Sequence, residues 1–133
     1  MLIKNMKAAI PSKLSSFRKL ENRGDPYYFD HWGIDLNNEE CMYYWFFSKD
    51  RYRKNKKRVI INEVEKLLES VIISNDLKIS RADFEKLCPI TLSVGPCGFA
   101  VITRILEFLE IGEYIKNQGF EIYDKDEVQR ILE

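Results

Sequence analysis

Residues 98–110, GFAVITRILEFLE, constrain the fold most, because this stretch is apolar on nearly every side. Phe99, Ile102, Leu106 and Leu109 recur at spacings of three and four, and Val101, Ile105 and Phe108 widen the apolar arc. Only Thr103, Arg104, Glu107 and Glu110 remain polar, so the pattern predicts a helix surrounded by other elements rather than one lying on a surface. A chain of 133 residues can build one core around such a helix but not two, which gives a single globular domain over 1–133.

The other elements follow from local signals. Pro11, with Leu14, Phe17 and Leu20, predicts a helix that NRGDP ends. The aromatic runs 27–34 and 41–47 flank the turn-forming DLNNEE and read first as a β-hairpin. A helix capped by Asn38 is the alternative for the second run. Residues 48–58, SKDRYRKNKKR, read as a solvated basic stretch leading into a helix that carries Ile60, Val64, Leu67, Leu68 and Val71 on one face. Ser80 with Asp83 three residues on forms a capping-box pattern, and Pro89 closes that helix after Cys88. GFEIY suggests a short edge strand, and DKDEVQRILE a last helix capped by Asp124 with Glu127 three later. The expected architecture is therefore α+β, a mainly helical single domain with a small aromatic-rich antiparallel β element.

Composition narrows the function classes. Three cysteines, Cys41, Cys88 and Cys97, are an odd number with no C-x-x-C spacing, which points to free thiols and a reduced, cytoplasmic setting. The start, MLIKNMKAAIPSKL, has no long apolar run and no cleavage-site pattern, so neither a signal peptide nor a membrane span is expected. One histidine and three scattered cysteines do not make a zinc site, and no phosphate- or dinucleotide-binding glycine loop is present. No cofactor and no metal are expected. The net charge of zero conceals two halves: 13 Lys/Arg against 7 Asp/Glu in residues 1–58, and 8 against 14 in residues 59–133.

Cys97 invites a chemical reading. A thiol in the first turn of a helix sits where the dipole and unpaired N–H groups favour the thiolate. His31-Trp32 at a strand, Asp50 after the next strand and Cys97-Gly98-Phe99 opening a buried helix resemble the order in adenovirus-type and SUMO-deconjugating cysteine proteases. That resemblance implies Cys97 as nucleophile, His31 as base and Asp50 as its orienting partner. However, PITLSVGP lacks the Gln those families place before the cysteine, and few residues precede His31. The competing reading is a small residue packed at a tight loop-to-helix junction. The small cysteine peptidase therefore stays the alternative function, and no catalytic residue is assigned.

Two surfaces are candidates for binding. Lys49, Arg51, Arg53, Lys54, Lys56, Lys57 and Arg58, interleaved with Tyr52, could meet phosphates, so a nucleic-acid-binding module through 49–58 is the second alternative. The sequence pI of about 6.6 and the lack of a nucleic-acid motif weigh against it. The acidic end holds Glu107, Glu110, Glu113, Glu121, Asp124, Asp126, Glu127 and Glu133 against Lys116, Lys125 and Arg130. With Tyr114, Phe120 and Tyr123 reading as exposed rings, it suits a protein partner, the charges steering encounter and the rings supplying buried contact. The alternative is that Phe120 and Ile122 close the core while the carboxylates cap helices.

In size, compartment, the HWGID…YYWFF segment and the acidic tail, the chain resembles bacterial immunity proteins, the antidotes to contact-dependent growth inhibition and other polymorphic toxins. That resemblance implies a non-enzymatic inhibitor that binds and occludes the active site of a cognate toxin, often a nuclease; no membrane or metal partner is expected, and nucleic acid is the less favoured one.

Overall fold

The computed structural model describes residues 1–10, 16–20, 25–48, 53–93, 95 and 97–133. Chain order is α1 (Leu2–Ala9), β1 (Ser16–Phe17), β2 (Tyr27–Ile34), β3 (Glu40–Phe47), β4 (Lys54–Ile60), α2 (Ile61–Ser74), β5 (Lys78–Ile79), α3 (Arg81–Leu87), α4 (Pro89–Ser93), α5 (Gly98–Phe108), β6 (Gly112–Ile115), β7 (Gly119–Ile122) and α6 (Lys125–Leu132). The strands form two antiparallel sheets, ordered β1-β2-β3-β4 and β5-β7-β6. The expected mainly helical domain with one small β element is thus corrected: seven described strands in two sheets accompany six helices.

The largest part of that correction is β4. KNKKRVI reads as a solvated run, yet β3 gives it a continuous partner from Phe47↔Lys54 to Cys41↔Ile60. Lysines at a sheet edge keep their ammonium groups in water while the backbone pairs, so a basic run and an edge strand are compatible. Phe17, expected on a helix, lies in β1, whereas Pro11 and Leu14 fall outside the described residues. GFEIY supplies β7, which is the central strand of its sheet and not an edge.

The hairpin forms as the aromatic runs suggested. Tyr28 pairs with Trp45, Phe29 with Tyr44 and His31 with Tyr43, and the register shifts between Phe29 and His31. The Asp35 carboxylate shapes the turn by accepting from the Asn37 and Glu39 amides, each at 2.9 Å. The Glu39 amide foremost, with Asn37 and Arg58, holds Asp35 below the usual carboxylate range despite some desolvation. Asn38 at φ 63° takes the left-handed turn position that asparagine tolerates.

The core lies between the inner face of the larger sheet and the helices. Val64, Leu67, Leu68 and Val71 of α2 and Phe99, Val101, Ile102, Ile105 and Leu106 of α5 are buried there, as their spacing predicts. α3 has the capping box: the Ser80 hydroxyl accepts from the Asp83 amide while the Asp83 carboxylate accepts from the Ser80 amide. Pro89 ends α3 and also opens α4, where its missing N–H costs nothing. One carboxylate ties these parts together. Glu63, 3% exposed, accepts from the Ile90 amide, the Thr91 amide and the Thr91 hydroxyl at 2.7–2.8 Å. The Thr91 hydroxyl in turn accepts from the Ile60 amide at 3.1 Å, so α4 is fastened to the junction of β4 and α2.

Candidate functional site: the outer face of the larger sheet

Strand alternation sorts the aromatic residues onto two faces. Phe29, Met42 and Tyr44 point inward and are buried. Tyr28, His31, Tyr43, Trp45 and Phe47 lie on the outer face, half-buried or exposed. The outer rings brace each other. Tyr28 stacks on Trp45 at 4.5 Å, Phe47 meets Trp45 edge-on at 5.1 Å, and His31 stacks on Tyr43 at 4.5 Å.

β4 lays a row of cations beside these rings. The Lys54 ammonium sits 4.3 Å from the Trp45 ring centre. Lys56 Nζ is 3.3 Å from Asp30 Oδ2, and Arg58 Nε is 3.1 Å from Asp35 Oδ2. Asp30, at the register shift, also meets His31 Nδ1 at 2.6 Å. Desolvation pushes the Asp30 pKa up, but the bonds from His31 and Lys56 outweigh it and hold the group below the usual carboxylate range. The face is therefore aromatic, moderately basic and already fixed in one arrangement.

The expected peptidase constellation is not assembled. Tyr44 hydroxyl lies 3.1 Å from Cys97 Sγ, while His31 stacks on the neighbouring Tyr43. Successive strand residues point to opposite faces, so His31 and Cys97 have the sheet between them. Asp50 lies outside the described residues. Cys97 stands just before α5 with no side-chain cap bond, half-buried against Tyr44. Burial pushes the Tyr44 hydroxyl pKa up, so Tyr44 stays protonated, and its hydroxyl and the Cys97 sulfur share a hydrogen bond in which either group can donate. Cys88 is buried with its thiol pushed up to about 12, and burial also raises that of Cys41. In the native protein at neutral pH, iodoacetamide should label Cys97 at least about tenfold faster than Cys41 or Cys88, whose burial blocks both access and ionisation. Peptide mass spectrometry reads this directly, and equal labelling of all three would show that the core opens readily.

The residues expected to form an acidic docking surface have mixed fates. Glu107 accepts from Arg104 Nη1 at 2.6 Å and from the Tyr114 amide at 3.3 Å, so it braces α5 against β6. Tyr114 is half-buried, with the Arg104 guanidinium 6.0 Å from its ring centre. Of the two readings of Phe120 and Ile122, the one in which they close the core is found: both are buried, because β7 is a central strand. Tyr123 is 60% exposed. Glu113 and Glu121 are exposed and directly opposite one another across β6 and β7, and Glu110 is exposed at the end of α5. Asp124 caps α6 by accepting from the Asp126 amide, Asp126 is exposed in the first turn, and Glu127 pairs with Arg130.

The basic run divides. Lys49, Arg51 and Tyr52 lie outside the described residues. Lys54, Lys56 and Arg58 line the outer face, whereas Lys57 passes near Gly95 on the other side. Among the described residues, no group of three His, Cys, Asp or Glu side chains could hold a metal ion, and no helix is long and apolar enough to cross a membrane. No protein-family model, no curated protein and no solved structure matches this chain. The site is therefore read from its own geometry.

Proposed function

We propose that this chain is a non-enzymatic protein-binding inhibitor of the immunity type, and that it holds its partner on the outer face of the larger sheet. The observation that carries the reading is the braced aromatic ridge of Tyr28, Tyr43, Trp45 and Phe47, flanked by Arg58. Tyrosine, tryptophan and arginine dominate interface energetics, and rings that already occupy their bound positions lose little entropy on association. A platform for nucleic-acid bases needs free ring faces. Here Tyr28 and Lys54 both sit over Trp45, and His31 covers Tyr43. These internal pairings favour a protein.

The cations along β4 fit an acidic part of the partner. Inhibition then works by blocking approach from beside the toxin's active site, rather than by filling a basic nuclease cleft with carboxylates. The test is co-production with the toxin domain encoded beside this gene, in cells that the toxin alone arrests. Restored growth together with a one-to-one complex on size exclusion is the expected result. Growth arrest with no complex, or retention of the chain on single-stranded DNA at physiological salt, would overturn the reading.

A further inference from the structure

The open edge of β4 extends the same site. In an antiparallel pair, residues alternate between those whose N–H and C=O face the partner strand and those whose groups face away. The Ile60 amide bonds to the Thr91 hydroxyl and not to β3, which fixes the phase: Ile60, Arg58, Lys56 and Lys54 turn their backbone groups away from β3. The Ser48 amide donating to the Arg53 carbonyl at the hairpin's other end agrees with this phase. Among the described residues, the outward N–H and C=O groups of Lys54, Lys56 and Arg58 have no backbone or side-chain partner, whereas Thr91 closes the edge at Ile60.

The other edges differ. β1 has only two residues, Ser16 and Phe17, and the Tyr114 amide of β6 is taken by the Glu107 carboxylate. Among the described residues β4 thus has an open edge, running about 13 Å from Lys54 to Arg58 in four steps of roughly 3.3–3.4 Å. Its side chains select what can add there. A second copy pairing β4 with β4 would set lysines and arginine against their equivalents, which is unfavourable. An incoming strand with carboxylates at alternate positions would place them opposite Lys54, Lys56 and Arg58. Lys56 is 61% exposed, and the Asp35 contact engages only Nε of Arg58, so both retain donors for a newcomer.

Resting on the reading of this face as a protein-docking surface, we infer that the β4 edge takes up an extended acidic segment of the partner as a fifth strand of the sheet. The side chains of that segment continue onto the aromatic ridge, so edge and face form one interface.

Amide hydrogen exchange tests the edge first, in the free chain. Lys54, Lys56 and Arg58 should exchange at least about tenfold faster than Asn55, Lys57 and Val59, which bond to β3. Equal protection would show a closed edge and overturn the inference. Random short peptides displayed on phage and selected on the full chain then serve as the probe. Selected peptides should alternate Asp or Glu with other residues and slow exchange at Lys54, Lys56 and Arg58. Lys56→Pro should weaken them about tenfold while leaving the thermal midpoint nearly unchanged, because that N–H makes no ladder bond. If the variant misfolds, the exchange pattern of the unaltered chain still decides. Peptides that depend on Trp45 but leave the β4 amides unprotected would overturn strand addition and spare the docking reading. Recovery of no peptide, with binding to single-stranded DNA, would overturn both. Dimerisation through β4 would replace the partner strand with a second copy and overturn the occupant.

Discussion

Replacing Glu63 with alanine should destabilise the protein by about 3–5 kcal/mol, a large part of the 5–15 kcal/mol that holds most domains together. Glu63 is almost fully buried, and both oxygens are committed, Oε2 to the Ile90 amide and Oε1 to the Thr91 amide and hydroxyl. Alanine leaves three donors facing a space that water does not easily reach, and each unmet donor costs about 1–3 kcal/mol. Glutamine is the informative control. It keeps one acceptor and turns an NH2 toward the remaining donors, so it should cost less than alanine but still about 1–3 kcal/mol. Urea unfolding of the three proteins, compared at unchanged slope, measures this. A loss below about 1 kcal/mol for alanine would mean that α4 relaxes and finds other acceptors. The effect also reaches the candidate site, since the Thr91 hydroxyl fastens Ile60, where β4 leaves the sheet.

That carboxylate shows where sequence reading stops. Its partners are 27 and 28 residues away, and nothing local distinguishes Glu63 from any acid in a helix's first turn. Signals that complete themselves within a few residues were legible. The apolar periodicity of α2 and α5, the Ser80–Asp83 capping box, the Asp124 cap and the aromatic hairpin all appear where they were expected. β4 and β6 were not legible, because a strand's stability comes from what lies beside it and a lysine-rich edge has the composition of a solvated loop. The same limit left Phe120 open between surface and core: GFEIY promises a strand, but only the pairing with both β5 and β6 makes it central and buries the ring. For the outer face, the ring content was plain and the facing was not. The register shift at Asp30 resets the alternation, so which rings reach solvent depends on a detail that composition does not record. Likewise the chain order of His31 and Cys97 matched a catalytic pattern, while the sheet places them on opposite sides.

The outer face also carries the largest expected effect on binding. Trp45→Ala should weaken the proposed complex with a toxin domain by about 2–4 kcal/mol, on the order of 30- to 1,000-fold in Kd. Trp45 organises the ridge: Tyr28 stacks on it, Phe47 abuts it and Lys54 lies over it, so its removal frees three neighbours as well as deleting its own area. The cost to the fold should be only about 1–2 kcal/mol, because the residue is half-buried on the solvent side and the inner face stays intact. Separate readouts keep the two effects apart: calorimetric titration for Kd and thermal unfolding for stability. The contrasting variant is Glu121→Lys. It reverses charge on the smaller sheet, exchanging the repulsion from Glu113 for one from Lys78, its partner in β5, so stability should change little while the affinity stays within about twofold. If Glu121→Lys abolishes binding and Trp45→Ala does not, the partner docks on the acidic sheet, and the basic aromatic ridge is not the interface. If Trp45→Ala alone abolishes it at nearly native stability, the ridge holds the partner, since a half-exposed ring that contributes little to folding has no other means of losing so much affinity.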